Sequence, residues 1–245
     1  VRGPIYSADG KLLAETKVAE DGKEERSYPY ANLFAHAIGY AKNGKAGVES
    51  IANFNLLRSN TFIAERILNQ VKGIQNLGDT VYTTYSYEAQ KAAFDALGSY
   101  KGAVIAIDPS TGKILAMVSK PDFNPNSIVK DWDSLLSLDG KDSVLINRAT
   151  QGSYAPGSVF KIFTTTEYII ENPGKYQQFQ YQCEGVTTVQ GSSIQCYNKY
   201  RHGNEDLEEA FANSCSCAFS HVGLTLNPED FTKTCTKLLF NKKLP

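Results

Sequence analysis

The sequence predicts an α+β fold in two parts: a mostly β N-terminal domain over 1–84, then helices packed on antiparallel strands over 85–245. Three observations carry this. Strand-like runs joined by tight turns occur at 2–14 and again at 102–119, which is the pattern of hairpins. Between them a helical stripe runs through Tyr87–Leu97, so the change of pattern puts a boundary near residue 85. After Gly157 an apolar run continues to Ile170 and is apolar on nearly every side, which reads as a buried central helix.

The bulk properties agree with an ordinary globular chain. Its 245 residues suffice for one large or two modest domains. The formal net charge of -1 gives no basic surface for nucleic acid. The longest clean apolar run, Ala103–Ile107, is far too short to span a membrane. The chain opens at Val1-Arg2 without a methionine, so a trimmed N-terminus with any anchor lying upstream is expected. The five cysteines are Cys183, Cys196, Cys215, Cys217 and Cys235, an odd number with no Cys-x-x-Cys pair. With only His36, His202 and His221 beside them, a zinc site is not expected. Cys183 and Cys196 could face each other across a hairpin; free thiols are the alternative.

In chain order, Arg2–Ala14 reads as strand, Asp9-Gly10 turn, strand, followed by a charged strand and loop over 15–26. Residues 51–57 and 62–71 have helical spacing, and 73–78 mark a turn. Thr80–Thr84 is β-branched and aromatic, hence a strand. Ser86 can cap the next helix, whose stripe is Ala89, Ala92, Ala93, Ala96 and Leu97. Gly102–Asp108 and Lys113–Ser119 form a hairpin around Asp108-Pro109-Ser110-Thr111-Gly112. Asp131–Asp142 is a polar loop or short helix. Farther on, 179–184 and 193–197 can pair as strands around Gln190-Gly191. Two helices follow, one with Leu207, Ala210, Phe211 and Ser214 on a face, the other with Phe219, Val222, Gly223 and Leu226.

The chemistry-bearing stretch is Ser158-Val159-Phe160-Lys161. Pro156 and Gly157 suit a loop entering a helix. Residues three apart share a helix face, so a hydroxyl and an amine can meet there. Desolvation favours the neutral, proton-accepting amine. Spacing alone is weak, because Ser110-x-x-Lys113 and Ser127-x-x-Lys130 share it. The first lies in a hairpin turn and the second in a loop, and neither is expected to open a buried helix.

Asn147-Arg148-Ala149 followed by Tyr154-x-Pro156-Gly157-Ser158-x-Phe160-Lys161 resembles the first active-site motif of penicillin-binding proteins. Arg2-Gly3-x-Ile5 and Gly44-x-x-Gly47-Val48-Glu49 resemble segments of the non-catalytic domain of the class B members, where Arg2, Gly3, Gly47 and Glu49 would be structural. Pro121–Asn126 is similar to a turn the family carries after its first hairpin. Ser214-Cys215-Ser216 stands at the place of the family's Ser-x-Asn motif, with Ser216 where Asn is usual. A hydroxyl lacks the amide's paired donors, so Ser216 would be a reduced version of that contact. The third motif, Lys-Thr/Ser-Gly, does not occur and is expected beyond Pro245.

The resemblance implies a pedestal-like domain at 1–84 and, at 85–245, part of a transpeptidase domain related in fold to serine β-lactamases. It implies Ser158 as nucleophile, Lys161 as base, Ser214 as proton relay and Ser216 as a substrate contact. Peptidoglycan stem peptides ending in D-Ala-D-Ala would be the substrate, and β-lactam antibiotics covalent ligands. A membrane-embedded cell-wall glycosyltransferase would be the partner, at the extracytoplasmic face of a bacterial membrane. No metal, cofactor or nucleic acid is implied. Two rivals are a catalytically impaired scaffold and a β-lactam sensor or β-lactamase. A Ser-His-Asp hydrolase is disfavoured, since no Gly-x-Ser-x-Gly occurs.

Overall fold

The computed structural model describes residues 1–60, 62, 67–69, 71–72, 76–138 and 142–242. Of the helix expected over 62–71, residues 63–66 and 70 lie outside the described residues, as do 73–75 of the expected turn and 139–141 of the expected loop. The chain forms two compact units, Val1–Ser153 and Tyr154–Pro245.

In the first unit, β1 (Ile5–Tyr6), β2 (Leu12–Val18), β3 (Glu24–Ser27) and β4 (Val81–Tyr82) make one sheet in the order β3-β2-β1-β4. The β1–β2 hairpin turns at Asp9-Gly10, and β4 returns parallel to β1. Short helices α1 (Ala35–Ile38), α2 (Gly47–Ile51) and α3 (Asn53–Leu57) cover it. Ile5, Leu13, Phe34, Ile38 and Leu56 form the core. Glu49 is fully buried, and its carboxylate accepts from Arg2 Nε at 2.5 Å and Arg26 Nε at 2.7 Å. Two guanidinium groups thus compensate one buried carboxylate, giving Arg2 and Glu49 the structural roles expected of them. His36 is packed edge-on against Phe123 at a centroid distance of 5.1 Å.

Ser86 caps α4 (Tyr87–Leu97) by accepting from the Ala89 N–H. The inward face of α4 differs from the expected alanine stripe. Its buried residue is Gln90, whose amide bonds the Met117 N–H and the Met117 and Leu33 carbonyls, while Ala92 and Ala96 are exposed. β5 (Gly102–Ile107) and β6 (Ile114–Lys120) form the expected antiparallel hairpin. Within this unit Gln90 of α4 donates to the Leu33 carbonyl, joining segments on either side of residue 85. Asp131–Asp142 begins within α5 (Ile128–Leu136). Ser127 therefore precedes a helix, not a loop, although only Ile128 of α5 is buried.

In the second unit, α6 (Lys161–Glu171) follows a 3-10 turn over Gly157–Phe160. Phe160 and Phe163 pack with Phe231 and Phe240. The expectation of a buried central helix is corrected: Ile162 and Ile170 remain about half exposed, and only Thr164 and Glu167 are buried. The strand pairing is corrected too. β7 (Tyr181–Cys183) pairs with β10 (Gly203–Glu205), and β8 (Val186–Val189) pairs with β9 (Ser192–Gln195) around Gln190-Gly191. Alternating polarity fits either register, so the sequence pattern alone did not separate them. α7 (Leu207–Ala212) opens with a capping box at Asp206 and Glu209. α8 (Ser216–Thr225) and α9 (Pro228–Lys237) complete the unit. Cys183, Cys196, Cys215 and Cys217 lie in its core beside Leu207, Phe219 and Val222.

Candidate active site

Ser158 sits in the 3-10 turn that leads into α6, and Lys161 is the first residue of α6. Gly157 holds φ at +56°, a conformation that costs a residue with a Cβ about 1 kcal/mol or more. The turn carries the Ser158 hydroxyl to the surface, while the Phe160 ring is anchored in the aromatic cluster on the other side.

Lys161 Nζ lies 3.5 Å from Ser158 Oγ, 2.9 Å from Ser214 Oγ and 2.5 Å from the Ser214 carbonyl oxygen. Three of the four predicted residues therefore meet around one amine. Ser214 occupies the loop between α7 and α8 at φ +52°. That left-handed backbone is uncommon outside glycine and aims both of its oxygens at the amine. Lys161 is half-buried, with its Nζ 5.4 Å from the Phe219 ring centroid. Burial lowers the lysine pKa from its ordinary value, while the neighbouring Cys215 and Cys196 thiols pull it the other way.

Ser216 is brought near in sequence but not in bonding. It is the first residue of α8 and half-buried, and no hydrogen bond joins it to Lys161 among the described residues. Asn213 does not take its place, because its amide donates to Glu205 Oε1 at 2.9 Å. The Ser110-x-x-Lys113 repeat is separate: Ser110 and Thr111 bond to Asp108 within the hairpin turn. Ser158, Lys161 and Ser214 do not line the groove formed by Thr165, Ile169, Tyr176 and Phe211.

Behind Ser214 the structure gathers residues that the spacing did not connect. The five cysteines are free thiols, as one of the two sequence readings had it. Cys183 and Cys196 do face each other, with sulfurs 3.7 Å apart, but they belong to different strand pairs. Sγ of Cys183, Cys196 and Cys215 and a ring nitrogen of His202 all lie within 4.8 Å of one another. The absence of a Cys-x-x-Cys pair and the scarcity of histidine, from which no zinc site was expected, gave no sign of this grouping. These atoms come from four separate segments. The one sequence signal was the unusual number of cysteines between 183 and 217.

Comparison with known proteins places these features in context. Residues 102–245 match the family described as the penicillin binding protein transpeptidase domain, and residues 2–81 match the penicillin binding protein A dimerisation domain. The chain is 34% identical over 250 residues to the peptidoglycan D,D-transpeptidase PbpA of Mycolicibacterium smegmatis, covering 91% of this chain and 49% of that protein. It thus spans about half the length of the curated relatives it matches. Penicillin-binding protein A from M. tuberculosis, solved as an imipenem acyl-enzyme complex, superposes with a TM-score of 0.85 at 28% identity, over 100% of this chain and 60% of that one. The D,D-transpeptidase domain of a peptidoglycan glycosyltransferase from Eggerthella lenta gives 0.84 at 30% identity, over 100% and 54%.

Proposed function

The chain belongs to the class B penicillin-binding protein transpeptidases, and on that premise we propose that it carries the nucleophile half of a peptidoglycan D,D-transpeptidase. The observation that carries this is the convergence of Ser158 and Ser214 on Lys161 Nζ. Residues 1–84 act as the non-catalytic domain and 85–245 as part of the catalytic one. The division is supported by the two family matches, which end at 81 and begin at 102.

In the proposed reaction, neutral Lys161 takes the Ser158 proton as Oγ attacks the penultimate D-alanine carbonyl of a stem peptide. The peptide C–N bond breaks, and the terminal D-alanine leaves with a proton relayed through Ser214. An acceptor amine then attacks the ester, forms the cross-link and returns the Ser158 hydroxyl. The backbone N–H of Ser158 lies at the start of the helical turn, where it can serve developing oxyanion charge. A β-lactam would acylate the same oxygen and stall there. Ser216 contacts substrate with a single hydroxyl. The protein works at the extracytoplasmic face of a bacterial membrane, with a cell-wall glycosyltransferase as partner. No helix among the described residues is long and apolar enough to cross a membrane.

A scaffold reading competes because Ser216 stands where the family's Asn is usual. The test uses the protein at the length of its relatives, with a D-Ala-D-Ala stem peptide and an acceptor amine. D-Alanine release and an exchanged product, both lost in Ser158→Ala, are expected. Silence of the unsubstituted protein would favour the scaffold.

A further inference from the structure

We propose that the outer edge of β3 is a docking site for an extended, acidic segment of a partner protein, which adds to the sheet of the first unit as a further strand. The site lies wholly within that unit and does not depend on the serine–lysine chemistry. β3 ends the order β3-β2-β1-β4, so one of its edges has no strand beside it.

The register fixes which main-chain groups face outward. β3 pairs antiparallel with β2, with Lys17 opposite Glu25 and Thr16 opposite Arg26. Just beyond the strands, the Ala19 N–H donates to the Lys23 carbonyl at 2.9 Å. Bonded and non-bonded pairs alternate along an antiparallel ladder. Glu25 and Ser27 therefore bond to β2, whereas the N–H and C=O groups of Glu24, Arg26 and Tyr28 point away from it.

At Tyr28 this outer edge is already occupied, by a side chain that imitates a strand. Asn126 accepts from the Tyr28 N–H at 2.8 Å through Oδ1 and donates to the Tyr28 carbonyl at 3.0 Å through Nδ2. Asn126 is itself held by Asn124, whose Oδ1 accepts from the Asn126 N–H at 2.9 Å. Glu24 and Arg26 present the same pair of groups with no hydrogen-bond partner among the described residues. The Arg26 side chain is 5% exposed while the residue as a whole is half-buried, so its water-accessible part is main chain. An edge of this kind is a template for another strand.

The surroundings select the occupant. Arg26 lines a groove of about 290 Å³ with Lys42, Asn126 and Lys130, and Glu24 lines a second groove with Lys23 and Lys42. Lys23, Lys42 and Lys130 are exposed, and none has a carboxylate partner among the described residues. Glu24 and Glu25 are the acidic members of the same grooves, so lysines outnumber carboxylates there. Charged side chains along an edge deter apolar strands from pairing. A strand carrying carboxylates gains from the lysines, and its main chain supplies to Glu24 and Arg26 the bonds that Asn126 supplies to Tyr28. A sugar or a lipid headgroup brings negative charge but not the paired N–H and C=O groups that this edge requires.

The test is binding of a short end-blocked peptide in which glutamate alternates with threonine, measured by calorimetry on the whole chain, with amide hydrogen exchange followed by NMR. Binding is expected, with slower exchange at Glu24 and Arg26 and unchanged exchange at Glu25, whose N–H is already bonded to β2. The same peptide N-methylated at every residue keeps its charge and loses every donor, and should bind at least about tenfold more weakly. Lys42→Glu combined with Lys130→Glu should weaken the unmodified peptide by a similar factor. Both lysines are exposed, and unchanged exchange in the rest of the chain checks that this variant is folded. No binding, binding indifferent to N-methylation or to the lysine substitutions, or unaltered exchange at Glu24 and Arg26 would each overturn the assignment. A dimer of the chain that protects Glu24 and Arg26 would also overturn it, in favour of a second copy.

Discussion

Lys161 is the residue on which the proposed chemistry turns, and its environment fixes the direction of a pH profile. Only the neutral amine accepts the Ser158 proton, so penicillin acylation should rise with pH and level off once Lys161 is deprotonated. Burial lowers the lysine pKa, so levelling is expected below the ordinary lysine range of about 10.4. A rate that falls across that range would remove Lys161 from the role of base. Ser216 gives a second residue-scale prediction. Ser216→Asn restores an amide with two donors. One added hydrogen bond of about 1.4 kcal/mol corresponds to about a tenfold faster acylation, measured by stopped reaction with a labelled penicillin. No change would mean that this position does not touch the ligand.

At the scale of elements, local chemistry was legible and long-range assembly was not. Ser158 and Lys161 are three residues apart on one turn, so the spacing alone brought them together. Ser214 was reached only through its motif, since 53 residues separate it from Lys161. The β7–β10 pairing was missed because alternation fits several partners, and the cysteine cluster because each of its side chains comes from a different segment. The face of α4 was misread because a buried glutamine, fully hydrogen-bonded, looks polar in any hydrophobic pattern. By contrast, the Arg2–Glu49 pair followed its motif. Glu49→Ala should cost about 3–5 kcal/mol in urea unfolding, because it strands the Arg2 and Arg26 guanidinium groups in a buried site. A cost below about 1 kcal/mol would show that water reaches them.

At the scale of the whole molecule, the first unit carries a pH-dependent signature of stability. His36 is buried there, and burial pushes its pKa down to about 4 from 6.5. Its Nε2 lies 3.4 Å from the Pro121 carbonyl oxygen, which offsets burial only in part. The unfolded chain takes up a proton below about pH 6.5, whereas the folded chain resists until about pH 4. Stability is therefore lost as pH falls through that window, by about 3 kcal/mol in total at the lower end. His36→Gln should flatten the fall in urea midpoint between pH 7 and pH 4.5 relative to the unsubstituted chain; parallel curves would contradict this.

The central claim is that Ser158 is the oxygen acylated, with Lys161 and Ser214 beside it. Its most direct test is intact-mass spectrometry after incubation with benzylpenicillin, followed by digestion to locate the adduct, on the protein at the length of its relatives. One penicilloyl group on the peptide containing Ser158, absent in Ser158→Ala, is the predicted result. An adduct on another residue, or an adduct that persists in Ser158→Ala, would contradict it.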